Sequence, residues 1–418
     1  MVFDRKLYLQ RLIDSRGNGM VKLVTGVRRC GKSFLLFTLF RNWLLNNGVD
    51  AKHIITISFD DRKNKKYRNP DTLLDYIDSV IIEDTQTSYI ILDEIQLVDD
   101  FVEVMLSLMH KPNVEVYVSG SNSKFLSSDV VTEFRGRGWE IRVRPLSFAE
   151  YYDGIGGDKF DALRAYYAFG GLPQVVLMNT REKKQAFLKE MLETTYIRDV
   201  IQRNNIRNEE GLRQILQVLS SSIGSSTNTT RIVNTFNSEE HLVIKSETIN
   251  KYLEYLQDAF LIEPALRYNI KGRKYIGTQT KYYFEDAGIR NAVLNFRQSD
   301  DASHLMENVI YNELRNRGYS VDVGLVETYE RNAEGKTERK SLEVDFVINR
   351  GDQRIYIQSA YSMPSQEKIR QEKRPLLNVP DNFQKIIITD GYNMTHYNAD
   401  GILEIGLFDF LLNPDILN

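Results

Sequence analysis

The chain has 418 residues, of which 42% are hydrophobic and 27% charged, a composition typical of folded globular proteins that excludes a disordered chain. A net charge of −3 excludes a polycation, so contacts with nucleic acid would have to come from local basic patches. One cysteine excludes an internal disulfide, and a charged N-terminus without an apolar run predicts a cytoplasmic protein without signal peptide or membrane span.

Short apolar runs alternate with longer amphipathic segments over the first 145 or so residues. The runs that predict strands are Met20–Thr25, Ile54–Phe59, Tyr89–Leu92, Val114–Ser119 and Trp139–Val143. Between them, segments such as Ser33–Asn46 and Asp71–Glu83 are typical of helices. This alternation predicts an α/β domain with a parallel sheet covered on both faces.

The segment Gly26–Ser33, GVRRCGKS, has the spacing of a phosphate-binding P-loop between a predicted strand and a predicted helix. The residues that we expect to contact the nucleotide are Gly26, Val27, Arg28, Arg29, Cys30, Gly31, Lys32, Ser33 and Phe34. Lys32 is expected to reach the β- and γ-phosphates, and the Ser33 hydroxyl to bind Mg²⁺. Because the variable positions of a P-loop tolerate many residues, Arg28 and Arg29 are not needed to explain phosphate binding.

Two acidic residues, Asp93 and Glu94, follow the apolar run Tyr89–Leu92. An acid at the end of a buried strand typically completes a P-loop site. We expect Asp93 to hold Mg²⁺ through water, and Glu94 to orient and polarise the water that attacks ATP.

Three further residues are candidates for catalysis. Asn122, or its neighbour Ser121, follows the next strand and could sense the γ-phosphate, although capping of the loop explains it equally well. Arg135 and Arg137 could stabilise charge on the transferred phosphoryl group, in the same chain or across an oligomer interface. The alternative for both arginines is an exposed surface position, and the oligomeric state stays open.

The succession GVRRCGKS, IILDEIQ, SGSNS, FRGR, RPLSFAEYY and FGGLPQ resembles a group of bacterial and archaeal AAA-like ATPases. In that group an ATPase domain precedes a C-terminal domain of unknown function. The resemblance extends over essentially the whole chain, and the group looks related to archaeal ATPases and signal-transduction NTPases. It implies ATP and Mg²⁺ as ligands and leaves the target unnamed. The recurrence of Arg28 and Arg29 in the group implies that they make a structural or inter-domain contact.

The middle of the chain is predicted to be mostly helical. Helical patterns at Asn228–Asn237 and Lys245–Asp258 precede a basic, hairpin-like segment, an order similar to a winged helix, as expected for this group. Basic residues that could contact DNA phosphates are Arg267, Lys271, Arg273 and Lys274. The alternative is a docking module with a solvated loop, and a second basic run, Arg62–Arg68, is predicted to be a solvated loop.

The C-terminal part resembles the PD-(D/E)XK nuclease core, with Glu307 on a helix and Asp345 in a strand. That core binds its metal with an Asp and with the Glu of a Glu-x-Lys motif. Here Gln358 and Ala360 replace this Glu and Lys. We therefore expect the fold to be retained and the nuclease activity lost.

Together these patterns predict three domains: an AAA-like P-loop ATPase at 1–180, a helical, winged-helix region at 181–300, and a restriction-nuclease-like α/β domain at 301–418. The predicted function is Mg²⁺-dependent ATP hydrolysis that rearranges the C-terminal domains, with DNA as one target. The alternatives are a nucleotide-gated DNA-binding module, a signalling switch for a protein partner and, less favoured, a metal-dependent nuclease.

Overall fold

A computed structural model describes residues 2–82, 84–120, 134, 136–235, 244–297, 302–331, 336–391 and 394–417. The chain divides into two compact units. The first contains Met1–Leu146, Leu172–Gln174 and Asp258–Phe260, and the second contains the remainder. None of the helices in the described ranges is long and apolar enough to span a bilayer.

The first unit is an α/β layer structure around one parallel sheet. Its elements are α1 Lys6–Asp14, β1 Val21–Thr25, α2 (Lys32–Phe34, a π-helical Leu35–Phe40, and Arg41–Asn46), β2 Ile54–Ser58, α3 Pro70–Val80, β3 Ser88–Asp93, α4 Phe101–Met109, β4 Val114–Ser119 and β5 Gly138–Arg142. The strand order is β2-β3-β4-β1-β5, and all pairs are parallel. The predicted parallel sheet is confirmed.

Burial follows from this position of the strands. Every residue of β1 and of β3 is buried, because both are inner strands covered on both faces. Helices α3 and α4 contribute apolar side chains such as Leu73, Ile77 and Met105 to the same core as the strand residues Ile90 and Val118. The near-continuous apolar runs of the sequence therefore correspond to strands without a solvent face.

The second unit begins with helices and ends with a large mixed sheet. Its helices are α5 Phe148–Ile155, α6 Lys159–Phe169, α7 Pro173–Val176, α8 (Arg181–Met191, a π-helical Leu192–Ile197, and Arg198–Asn204), α9 Glu209–Ser221, α10 Thr229–Thr235, α11 Ser246–Asp258, α12 Ala287–Val293, α13 Ala302–Asn316, α14 Gln366–Leu377 and α15 Leu407–Leu412. Pro173 and Gln174 of α7 and Asp258 of α11 belong to the first unit. Its strands are β6 Ile262–Asn269, β7 Lys274–Phe284, β8 Ser320–Arg331, β9 Thr337–Arg350, β10 Gln353–Ala360, β11 Gln384–Thr389, β12 His396–Tyr397 and β13 Leu403–Gly406.

The eight strands form one sheet in the order β12-β13-β11-β10-β9-β8-β6-β7. From α13 to β11 the chain runs helix, three antiparallel strands, helix, and a strand parallel to β10, the layout expected for a nuclease-like core. The hairpin β6–β7 joins this sheet because β6 pairs in parallel with β8. The division into three domains stays a prediction.

Asn308 links α13 to the edge of this sheet. Its side chain is fully buried; it accepts from the Phe284 N–H at 2.7 Å and donates to the Phe284 carbonyl at 2.9 Å. Nearby, the rings of Tyr283 and Tyr311 stack with centroids 4.1 Å apart. Both polar groups of one backbone residue are thus satisfied by a single side chain in an apolar setting.

Replacing Asn308 by Leu should lower the free energy of unfolding by about 1–3 kcal/mol, because the buried Phe284 N–H loses its partner, whereas the Phe284 carbonyl keeps a second donor, Asn312 Nδ2, at 3.0 Å. Urea denaturation of the full chain measures this effect. Ser303→Leu, at an exposed position of the same helix, is the control and should change stability by less than about 0.5 kcal/mol. Equal losses in the two variants would contradict the prediction.

Candidate functional site

The loop between β1 and α2 adopts a conformation that ordinary residues avoid. Gly26 has φ +132° and Gly31 has φ +101°, and Arg29 has φ +65°. At Gly26 a Cβ would lie 2.0 Å from the carbonyl oxygen of Val143, so only glycine fits there. The buried Cys30 thiol donates to the same carbonyl at 3.3 Å, which makes Cys30 a packing residue of the loop.

Lys32 folds back over this loop at the first position of α2. Its ammonium donates to the carbonyl of Gly26 at 2.9 Å and to that of Val27 at 3.0 Å, and the residue is 5% exposed. Ser33 and Phe34, in contrast, are exposed. The loop therefore holds a cation at its centre and presents a hydroxyl at its rim, next to the N-terminus of a helix.

The two adjacent arginines differ in their environments. Arg28 is half-buried, whereas Arg29 is exposed and donates from Nη1 to Oε1 of Gln174 at 2.7 Å. Gln174 belongs to the FGGLPQ motif, and Pro173 of that motif lies 3.9 Å from where a Cβ of Gly31 would be. These residues all belong to the first unit. Arg29 thus has the structural contact expected for one of the arginines.

The acidic strand end is held by hydroxyl groups. Asp93 is 3% exposed and accepts hydrogen bonds from the hydroxyls of Ser119 and, at 3.4 Å, Ser58. Glu94 has φ +55°, its N–H donates to the Ser119 hydroxyl at 3.4 Å, and its carboxylate accepts from Gln96. Ser119 therefore bridges the two acids from the neighbouring strand β4.

The remaining catalytic candidates are only partly visible. Ser121, Asn122 and Arg135 lie outside the described residues. Arg137 has an exposed side chain, and its carbonyl accepts from the Val21 N–H at 3.0 Å, beside the start of β1. The proposed roles of these residues in catalysis stay predictions.

The four basic residues assigned to DNA separate into two groups. Arg267 is half-buried and pairs with Glu343 at 3.1 Å, so it is engaged within the protein. Lys271, Arg273 and Lys274 are exposed at the turn between β6 and β7. The turn therefore carries three of the four predicted cations on its surface.

Of the residues compared with the nuclease core, Glu307 lies on α13, Asp345 on β9, and Gln358 and Ala360 on β10. Glu307 and Asp345 are each 8% exposed. Gln358 donates from Nε2 to Glu372 at 3.3 Å, and Ala360 is buried. At these two positions, β10 therefore adds neither a carboxylate nor an ammonium group to Glu307 and Asp345.

Three residues of these sites were not predicted from the sequence. Ser119 immediately precedes the polar residues considered after β4, and a hydroxyl at a strand end was the available signal. Gln174 lay in a motif that had been noted without a role. Lys281, which contacts Glu307, occurs in a strand with no spacing relation to the acids.

Gly26→Ala should lower the free energy of unfolding by about 3 kcal/mol or more, because the methyl group overlaps a carbonyl and the backbone is strained. Gly48→Ala is the matched control, since Gly48 has φ +87° in the same unit but open space around it. That variant should lose only about 1 kcal/mol. Urea denaturation compares them, and equal losses would exclude steric overlap as the cause.

Three successive segments of the chain match known families. An AAA domain matches residues 18–152, a domain of unknown function (DUF8612) matches residues 160–300, and another (DUF4143) matches residues 302–408. The first match contains the P-loop and the two acids at the end of β3, Asp93 and Glu94. The last contains the nuclease-like residues Glu307 and Asp345.

Two relatives align with nearly the whole chain, and both are uncharacterized proteins. The one from Haemophilus influenzae is 30% identical and covers 98% of this chain and 99% of its own. The one from Methanocaldococcus jannaschii is 27% identical and covers 93% and 85%.

Solved structures align more weakly. Cdc6p from Pyrobaculum aerophilum is 13% identical, covers 70% of this chain and 93% of its own, and has a TM-score of 0.29. The Aeropyrum pernix ORC1 protein in complex with DNA is 12% identical, covers 70% and 92%, and also scores 0.29. TM-scores this low carry no argument about fold or function. The family follows from the relative in Haemophilus influenzae and from the match to the AAA domain. The chain belongs to a family of P-loop, AAA-like ATPases in which domains of unknown function follow the ATPase domain.

Proposed function

We propose that the chain hydrolyses ATP with Mg²⁺ and that its nucleotide state drives a rearrangement of the C-terminal domains. The observation that carries this proposal is the convergence of two strand ends in one parallel sheet. β1 leads into the P-loop, β3 ends at Asp93 and Glu94, and β4, which lies between them, contributes the Ser119 hydroxyl to both acids.

The loop residues would bind and orient the triphosphate. In the proposal, the backbone N–H groups of Val27 to Ser33 surround phosphate oxygens at the start of α2. Lys32 exchanges its two carbonyl acceptors for the β- and γ-phosphates. The exposed Arg137, and Arg135 with it, stabilise charge on the transferred group, in the same chain or from a neighbouring copy.

The acids fit a magnesium ion. Asp93 is a buried carboxylate whose partners among the described residues are hydroxyls and no basic side chain. A hard divalent cation shared with the Ser33 hydroxyl would satisfy it. Mg²⁺ would neutralise charge on the phosphates, while the Glu94 carboxylate orients a water molecule and accepts its proton.

Two substitutions separate binding from hydrolysis. Lys32→Ala should weaken ATP binding at least tenfold, because the loop loses its only ammonium group. Glu94→Gln should retain ATP binding and reduce phosphate release by about 10²–10³-fold, because the amide cannot accept a proton. Fluorescent-nucleotide titration and a phosphate-release assay measure the two effects.

Exposed residues of the same types provide the controls. Lys63→Ala, on an exposed turn, and Glu103→Gln, in the first turn of α4, should behave as the unmodified protein. ATP affinity and phosphate release that are both unchanged in Lys32→Ala would refute the ATPase assignment.

A second candidate function is nucleotide-gated DNA binding through a winged helix. What supports it is the element order α9, α10, α11 and the hairpin β6–β7, with a single antiparallel bridge between Thr227 and Thr280. A short strand added to a hairpin after the first helix is expected of that motif. The exposed side chains Glu247, Lys251 and Glu254 leave α11 without a basic face, which favours contact through the hairpin turn.

The hairpin turn borders a cleft of about 540 Å³. Lys271, Lys274 and Arg339 line it together with Glu327, which pairs with Arg339, and Tyr275 beside them is 59% exposed. The two ammonium groups next to an exposed aromatic ring suit phosphate contact with base stacking. This combination favours a nucleic acid over an acidic protein surface, because only a nucleic acid has bases that stack on the ring.

Changing Lys271, Arg273 and Lys274 together to Gln should weaken DNA binding and reduce the slope of log affinity against log salt by about 2–3, since up to three phosphate contacts disappear. Fluorescence anisotropy with labelled single-stranded and duplex DNA at several salt concentrations measures this.

The matched control changes Arg62, Lys63 and Lys65 to Gln, which removes the same charge from the predicted solvated loop and should leave the slope unchanged. An identical slope in both triple variants would exclude the hairpin as the contact. ATPase rates with and without DNA then distinguish a DNA-coupled enzyme from a switch for a protein partner.

A further inference from the structure

A buried ammonium group lies at the centre of the carboxylates of the nuclease-like sheet. Lys281 Nζ is 2.8 Å from Glu307 Oε1, 2.9 Å from Glu343 Oε1 and 3.6 Å from Asp345 Oδ1, and the lysine side chain is 4% exposed. The lysine comes from β7, whereas the acids come from α13 and β9. Three carboxylates on two different elements therefore converge on one cation that the protein itself provides.

Further donors also contact these three carboxylates. The Tyr283 hydroxyl donates to Glu307 Oε1 at 2.6 Å, and the Ser359 N–H donates to Asp345 Oδ2 at 2.8 Å. Oε2 of Glu343 accepts from Ser226 at 3.2 Å and pairs with Arg267. The acids are thus oriented by fixed donors around the ammonium.

Burial and the neighbouring charges together set the pKa values of the groups in this centre. Burial opposes the charge on Lys281, but the surrounding carboxylates keep its pKa above the usual value for lysine, so it stays an ammonium. Burial and then Glu307 raise the pKa of Asp345 to about 8. Burial raises the pKa of Glu343, but Lys281 and Arg267 outweigh it and hold that pKa below its usual value.

The donor set does not fit the divalent metal that a nuclease core of this layout requires. A metal ion needs converging oxygen atoms at about 2.0–2.6 Å, whereas the acids here are spaced for hydrogen bonds to nitrogen. Strand β10 contributes the amide of Gln358 and the methyl group of Ala360. Oε1 of Gln358 is buried and has no hydrogen-bond partner among the described residues. Neither of these two side chains supplies a negative charge to bind the metal or an ammonium group to help activate its water.

We propose that Lys281 occupies the metal position of this nuclease-like centre as a built-in cation, so that the region binds no divalent metal there and cleaves no phosphodiester bond. The centre then acts as an internal tie between β7, α13 and β9. This inference is independent of the proposed ATPase, because all of its residues belong to the second unit.

Terbium luminescence tests the proposal, because Tb³⁺ bound to Glu307 would be excited through the adjacent Tyr283. In the unmodified chain, Tb³⁺ emission should be the same with and without Tyr283→Phe. In Lys281→Met, which frees three carboxylates, emission should rise several-fold and should be lost when Tyr283→Phe is added. Mn²⁺ should raise the melting temperature of Lys281→Met by about 3–6 °C and leave the unmodified chain unchanged.

Lys274→Met is the matched control, since it removes an exposed lysine from the same strand. It should behave as the unmodified chain. Tyr283-dependent emission from the unmodified chain would overturn the proposal, and this measurement does not require the Lys281 variant to fold. A folded Lys281→Met variant that shows no Tyr283-dependent emission and no Mn²⁺ effect would also overturn it, because no metal position would then exist.

Discussion

Parallel pairing of β3 with β4 and of β4 with β1 brings three strand ends to the same edge of one sheet. The P-loop, the acids Asp93 and Glu94, and the hydroxyl of Ser119 are adjacent only because of this pairing. Ser119 is 26 positions from Asp93 and 25 from Glu94 in the chain, yet it contacts both. The site depends on a backbone arrangement, since no local interaction would bring these side chains together.

Close contacts of the backbone stabilise the loop itself. Gly26 lies against the carbonyl of Val143, which follows β5, and the Cys30 thiol donates to the same oxygen. Lys32 then uses its ammonium to satisfy two carbonyls of the loop. Because Val143 contacts the loop and Lys32 bonds within it, the loop can keep its N–H groups oriented before a ligand arrives. This reduces the entropy that is lost when the ligand binds.

Charged groups in the second unit are organised by a different rule. Lys281 is buried among acids, and Arg267 is engaged with one of the same acids rather than exposed for an external ligand. Burying such a cluster is costly unless charges are paired and every oxygen has a donor. Here the charges are paired, and Tyr283, Ser226 and the Ser359 amide donate further hydrogen bonds to the three carboxylates. In the proposal, a sheet whose layout resembles a metal-dependent nuclease core thereby retains carboxylates as a structural centre.

The sequence by itself determined the parallel sheet, the P-loop and the acidic strand end, because each depends on local patterns: apolar runs without alternation, glycines at fixed spacing, and acids directly after a strand. It also indicated the nuclease-like order of elements at the C-terminal end. The contact of Arg29 with Gln174, the bridge made by Ser119 and the position of Lys281 were decided by the tertiary structure alone. Each of these joins residues that are distant in the chain. Only the pairing of strands and the packing of helices on them sets such distances, and for this reason Lys281 could not be recognised from its place in β7.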